Sequence, residues 1–216
     1  MTLQEDFDRL LETAGAEAPI QRFLETHPQL LVGSDYVLEN AVLSQLRLGT
    51  EHRVDFAFIE PTSGPTFLHL FEFESPALAL FTGADEFTAP FNHAAQQVRD
   101  WVLWCGRHQP ELRSLFEPLY EASSERLPGF FVVKTLLVAG RRSEINNTRR
   151  RERFESLNSG RAGFDEVRTY DGFREKIDYI FRADVENSRG IRCLWYGNRE
   201  LSDRRGTGDA EGDRRE

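Results

Sequence analysis

The sequence predicts an α/β fold in which a central mixed sheet is flanked by helices. Segments with apolar residues at helical spacing alternate along the chain with segments of strand character. Two strand-like segments are separated by no more than a turn, which predicts an antiparallel hairpin. A later apolar, β-branched run has the composition of a strand buried on both faces. This alternation predicts one layered domain over residues 1–190, with N-terminal helices over 3–31 and a core over 50–185.

In chain order, TLQEDFDRLLETA carries Leu3, Phe7, Leu10 and Leu11 at helical spacing with acids outside, an amphipathic helix. EAPIQRFLETHPQLL puts Ile20, Phe23 and Leu24 on one face of a second helix, which Pro28 closes. HRVDFAFIE alternates, with Val54, Phe56 and Phe58 to one side and Asp55, Ala57 and Ile59 to the other. PTSGP is a turn by composition, and TFLHLFEFE is the returning strand. A long helix runs from about Thr88 to Cys105, and PELRSLFEPLYEA is another. FFVVKTLLVAG is the doubly buried strand, ending at Gly140. NTRRRERFESLNS reads as a helix, EVRTY as a short strand, and DGFREKIDYIF as a final helix with Asp171 as its N-cap. Residues 198–216 are polar, glycine-containing and mixed in charge, so a disordered tail is expected there.

Composition narrows the function classes. Hydrophobic residues make up 39% and charged residues 29%, values of a soluble globular protein. No apolar run approaches the roughly 18–20 residues of a membrane span, and the N-terminus has no secretory pattern. Cys105 and Cys193 fit no metal-ligand spacing. A cytoplasmic protein with reduced thiols and no membrane partner is expected. The net charge of −9 argues against a protein coated by nucleic acid while leaving room for a local basic patch.

The chemistry centres on LFEFESP. Glu72 and Glu74 lie two residues apart in a strand and so share one face. Asp55, on the neighbouring strand, leaves the face of Val54, Phe56 and Phe58 and can join them. Three carboxylates in one small volume repel and are costly to desolvate unless a cation lies between them. An all-oxygen set suits a hard divalent ion, Mg²⁺ or Mn²⁺, holding a phosphodiester and activating water for in-line attack. A lone Glu-x-Glu is more often a solvent-facing pair, and Asp55 near Arg53 also fits a surface ion pair. The order Asp, hairpin, Glu-x-Glu, long helix favours the ion.

RVDFAFIE, LFEFESP and AAQQVRDW resemble the three core motifs of the PD-(D/E)XK nuclease superfamily, whose members have a restriction-endonuclease-like core. More closely, the chain resembles the C-terminal domain of Shedu-type anti-phage defence proteins. IQRFLETHPQLL, LLVAGRR and VRTYDGF extend the likeness to about residues 17–185. The resemblance implies a metal-dependent endonuclease acting on DNA in phage or mobile-element defence. It implies Asp55 and Glu72 as metal ligands, the Phe73 backbone carbonyl as a further ligand, and Gln97, followed four residues later by Trp101, as the counterpart of a helical Gln-x-x-x-Tyr motif that helps to place the scissile strand. The chain departs from the pattern at Glu74, where most members carry a catalytic lysine. Some restriction endonucleases of the superfamily carry Glu there, as base or second-metal ligand. The alternative is an inactive nuclease-like module that binds nucleic acid or a partner protein.

Arg149, Arg150 and Arg151, within RRSEINNTRRRER, are the expected phosphate-backbone contacts, against a solvated helix face as the plainer reading. Lys134 reads as a structural lysine or one at the mouth of the site. His69 falls on the face opposite Glu72, as a core or interface histidine. Trp101 and Trp104 read as packing residues. No glycine-rich loop offers a nucleotide cradle. The short N-terminal helices hold no sensing domain, so activation is expected through homo-oligomerisation, a partner or the substrate.

Overall fold

The computed structural model describes residues 2–33, 35–159, 163, 165–175, 190–197 and 200–203. Its elements are α1 (Leu3–Thr13), α2 (Glu17–Thr26), α3 (Gln29–Val32), β1 (Ala41–Leu48), β2 (His52–Glu60), β3 (Thr66–Phe73), α4 (Ala89–Arg107), α5 (Gln109–Glu121), β4 (Phe131–Val138), α6 (Thr148–Leu157), β5 (Glu166–Arg168), β6 (Arg192–Gly197) and β7 (Glu200–Asp203). The described strands form one mixed sheet in the order β5-β4-β3-β2-β1-β6-β7. β1, β2 and β3 are antiparallel, β4 and β5 continue parallel to β3, and β6 runs parallel to β1.

The sheet separates two cores. On one face α4 and α5 bury Phe91, Val98, Trp101, Leu112 and Phe116 against Ala57, Ile59, Leu68 and Leu70. On the other, α1 and α2 bury Phe7, Leu11, Ile20 and Leu24 against Phe56, Phe58, Phe71 and Phe73. A central strand covered on both faces must be apolar on both, which is why β2 and β3 carry large rings to one side and aliphatic residues to the other. Local signals start the helices. Thr2 and Glu5 form a capping box on α1, and the Thr88 hydroxyl accepts the Phe91 N–H at the start of α4. At the end of β4, Gly140 has φ +57°, and an added Cβ would lie 2.7 Å from the Leu78 carbonyl oxygen. Only glycine lets that loop pack so closely.

The structure corrects the sequence reading in several places. β1 was not expected, and its pairing with β2 puts the β2–β3 hairpin in the middle of the sheet. Pro28 separates α2 from α3, which follows it directly. Thr169 caps the last described helical stretch through the Gly172 N–H, while Asp171 accepts hydrogen bonds from the Arg141 side chain and the Arg142 N–H. That helix beyond residue 175 lies outside the described residues. The sheet continues past residue 190, and Glu200–Asp203, within the expected disordered tail, pair with β6 because β6 offers a free edge there. The remainder of 198–216 lies outside the described residues.

β1 and β2 share an irregularity that matters below. Ser44 pairs with Phe56 and Leu46 with Val54, leaving Gln45 opposite Asp55. Gln45 has φ +58°. Leu43 and Leu46 both enter the α4-side core, as do Ala57 and Val54. Both strands therefore change face at this one level.

Candidate metal and catalytic centre

β2 and β3 pair from Glu60↔Phe67 as far as Phe56↔Phe71, and Asp55 stands at the next position along. Its carboxylate takes the place of the missing ladder bond, accepting the Phe73 N–H at 2.9 Å through Oδ2. Oδ1 accepts from the side-chain amides of Gln21 on α2 and Gln45 on β1, each at 3.3 Å. Three donors from three elements thus fix Asp55. In an extended strand a residue's N–H and C=O point to the same side, so the Phe73 carbonyl is directed to the Asp55 side. The next amide, of Glu74, points the other way and donates to Val138 O.

Glu72 projects from β3 toward α4. Its Oε1 accepts the Gln97 side-chain amide at 2.9 Å. Its Oε2 is buried with no hydrogen-bond partner. Asp55, Glu72, Gln97 and Trp101 line one cleft of about 410 Å³, together with Glu17 and Arg53. Glu74 is half-buried and does not line it, yet its charge bears on both Asp55 and Glu72. The Tyr170 hydroxyl donates to the Glu74 backbone carbonyl and ties the chain down just past β3.

The electrostatics follow from burial and crowding. Burial pushes Asp55 up to about 7; Glu17 and Glu74 act in the same direction, while the Phe73 N–H and Arg53 oppose it. Burial also raises Glu72 well above the ordinary carboxylate range, with Asp55, Glu74 and Glu17 adding repulsion. Glu74 is raised by burial and by Glu17, and lowered by His93 on α4. The site holds more negative charge than its own cations neutralise, and Glu72 Oε2 meets no donor there except a proton shared with Asp55, whose carboxyl is within hydrogen-bond reach of Glu72. That is the chemistry of a cation-binding or proton-holding centre.

Three contributors were missed by the sequence reading: Glu17, Gln21 and Gln45. Glu17, Gln21 and Glu25 recur every four residues along α2, a polar stripe beside Ile20 and Leu24, and this spacing was a readable signal. Glu25 accepts the Ser44 hydroxyl at 2.6 Å, so the whole stripe faces the sheet. Trp101 packs fully buried, as expected, with its indole N–H unpartnered.

Other residues fall elsewhere. His69 lies on the face away from Glu72, stacked on Phe58 at 4.2 Å and bonded to Glu60 at 2.7 Å. Lys134 sits 3.3 Å from the same Glu60 and over the Phe67 ring, so it does not furnish the cleft's missing cation. Asp35, Glu60 and His69 bring ligand atoms within 4.8 Å of one another. The Lys134 ammonium already supplies the positive charge at that cluster. Arg150 turns inward to Asp85, to the Glu144 and Thr82 carbonyls, and over Phe81. Arg149 and Arg151 remain exposed. No helix of the described residues is long and apolar enough to cross a membrane.

A family model described as Shedu protein SduA, C-terminal, matches residues 14–173. None of the curated proteins compared with the chain matches it.

Proposed function

The chain belongs to the Shedu protein SduA C-terminal family, and from that membership and the cleft we propose a metal-dependent nuclease acting in anti-phage defence. Family membership supports the defence role. The observation that carries the catalytic reading is the unpartnered, buried Glu72 Oε2 beside an Asp55 held in place by the Phe73 N–H. Asp55, Glu72 and the Phe73 carbonyl form an all-oxygen donor set, which fits Mg²⁺ or Mn²⁺. Such an ion, when bound, supplies charge neutralisation at a phosphodiester and a more acidic water.

The chain's own residues do the rest. Gln21, Gln45 and the Phe73 amide hold Asp55 in one orientation, and Gln97 fixes Glu72 through Oε1 so that Oε2 stays free. Gln97 and the cleft wall orient the DNA strand. Glu74, half-buried and raised, accepts a proton from the attacking water or serves as a further ligand. The water oxygen bonds to phosphorus as the bond to the leaving sugar oxygen breaks; the water's proton passes to Glu74 or to solvent, and the sugar oxygen takes a proton from solvent.

The test is nicking of supercoiled plasmid with Mg²⁺ or Mn²⁺, comparing the wild type with Asp55→Ala and the isosteric Asp55→Asn. Cleavage by the wild type alone is expected. A wild type that neither cuts DNA nor binds either ion by calorimetry overturns the reading. A second reading, an inactive module that binds nucleic acid or a protein, is favoured by Glu74 standing where a lysine is usual and by Lys134 facing away from the cleft.

A further inference from the structure

We infer that Arg47 and Arg53, facing each other across β1 and β2, form the grip on a nucleic-acid phosphate backbone as it enters the cleft. This rests on the nucleic-acid reading above. The two residues are direct cross-strand partners, and both are exposed. Neither takes part in the ion pairs found among the described residues, whose arginines and lysine are Arg9, Lys134, Arg141, Arg142, Arg150, Arg168 and Arg174. Like charges directly opposite one another on an antiparallel pair repel and destabilise it. Arg53 offsets part of this through its attraction to Asp55 and Glu17, but Arg47 has no such role among the described residues. An anion lying between the guanidinium groups turns the repulsion into a two-pronged contact, since each presents a fork of donors suited to phosphate.

Position selects the occupant. Arg53 lines the cleft, and its charge already bears on Asp55 and Glu17. Arg47 extends the same positive surface outward along β1. Side chains that start about 5 Å apart reach one phosphate or two neighbours on a strand. Besides His52 and His93 the cleft wall carries Glu17, Glu51 and Asp100, so a polyanion approaching the carboxylates needs a cationic rim. A continuous phosphate backbone, anchored at the arginines and extended to Asp55 and Glu72, meets that need.

The experiment uses the full chain carrying Asp55→Asn, so that bound DNA is not consumed. Binding of a fluorescently labelled duplex is followed by anisotropy across a salt series, with Arg47→Ala/Arg53→Ala and Arg149→Ala/Arg151→Ala compared. Two lost phosphate contacts lower the slope of log affinity against log salt by about 1.8, at roughly 0.9 each. The Arg47/Arg53 double variant shows that fall, while Arg47→Ala alone in the wild-type chain, which removes the repulsion and keeps the Arg53 attraction to Asp55 and Glu17, melts level with or above the wild type without DNA. An unchanged slope, or a loss confined to the Arg149/Arg151 variant, overturns the inference. Equal arginine-dependent binding of polyglutamate assigns the pair to an acidic protein and also overturns it. Cleavage is scored separately with Asp55 restored. DNA bound through the arginines but never cut leaves this inference standing and removes the catalytic reading. Normal cleavage with an unchanged slope does the reverse, and no DNA binding at all overturns both.

Discussion

Asp55 carries its raised value, about 7, only in the folded chain; its ordinary value is 3.8. A carboxyl whose folded value is raised binds more protons folded than unfolded, so metal-free stability is fully present below about pH 4 and is lost as pH rises through 7. Asp55→Asn keeps the shape and removes the charge. Asn also turns one of the two accepting oxygens into a donor facing Gln21, Gln45 or the Phe73 N–H, so the check is the pH dependence: the melting temperature of the metal-free variant relative to wild type should rise between pH 4 and pH 8. Scanning calorimetry across pH checks both ends. Added Mn²⁺ should oppose that rise at pH 8, because the ion favours the ionised carboxylates of the wild type. Glu74 permits a sharper choice. If it is base or ligand, Glu74→Gln should lower cleavage by about 100-fold, the usual scale for a general base. If it only fills the place of a lost lysine, Gln should change nothing and Glu74→Lys should restore cutting in a plasmid assay. Glu72 was legible because strand alternation places it, whereas β2 changes face at Asp55, so Val54 lies in the α4-side core and not beside Phe56 and Phe58 as alternation predicts. For Glu17 the four-residue spacing with Gln21 and Glu25 marked a polar stripe on α2, but nothing in the local sequence says which strand that stripe faces.

At the scale of elements, β1 shows what periodicity misses. AVLSQLRL fails to alternate because Gln45 adopts φ +58° and flips the pattern halfway. The flip puts the Gln45 amide on Asp55, so the same irregularity that hid the strand helps to build the site. Gln45→Ala should lose that hydrogen bond and keep the backbone strain. Gln45→Gly loses the bond but relieves the strain, and should be more stable than Ala by about 1 kcal/mol in urea unfolding. Both should weaken Mn²⁺ binding alike, which separates the backbone effect from the ligand effect. α6 was legible as a helix, but its basic residues were not equivalent. Arg150 lies inward against Asp85, Glu144 and Thr82, whereas Arg149 and Arg151 are exposed. Arg150→Ala should lower the unfolding midpoint, and Arg149→Ala and Arg151→Ala should leave it within error. β6 and β7 went unread because their pairing is set by β1, far away in sequence.

For the whole molecule, the position of the centre follows from its two-layer construction. α2 packs in the core that holds Phe56 and Phe73, and α4 in the core that holds Ala57 and Leu70. The sheet keeps these cores apart except where β2 and β3 part beyond Phe56 and Phe71. At that opening Gln21 of α2 reaches Asp55 and Gln97 of α4 reaches Glu72, so side chains from opposite layers meet across the sheet. A ligand bound by both carboxylates therefore joins two packing units that otherwise communicate through the strands. Local opening of each layer should become rarer once they are joined, since binding stabilises every state that keeps both carboxylates in place. Hydrogen exchange followed by mass spectrometry should show slower exchange in peptides from both α2 and α4 when Mn²⁺ is added, with α5 little changed. Asp55→Asn should abolish the slowing on both sides. Protection of α4 alone would mean that Glu72 binds the ion without Asp55, and the bridging role of the opening between β2 and β3 would fall.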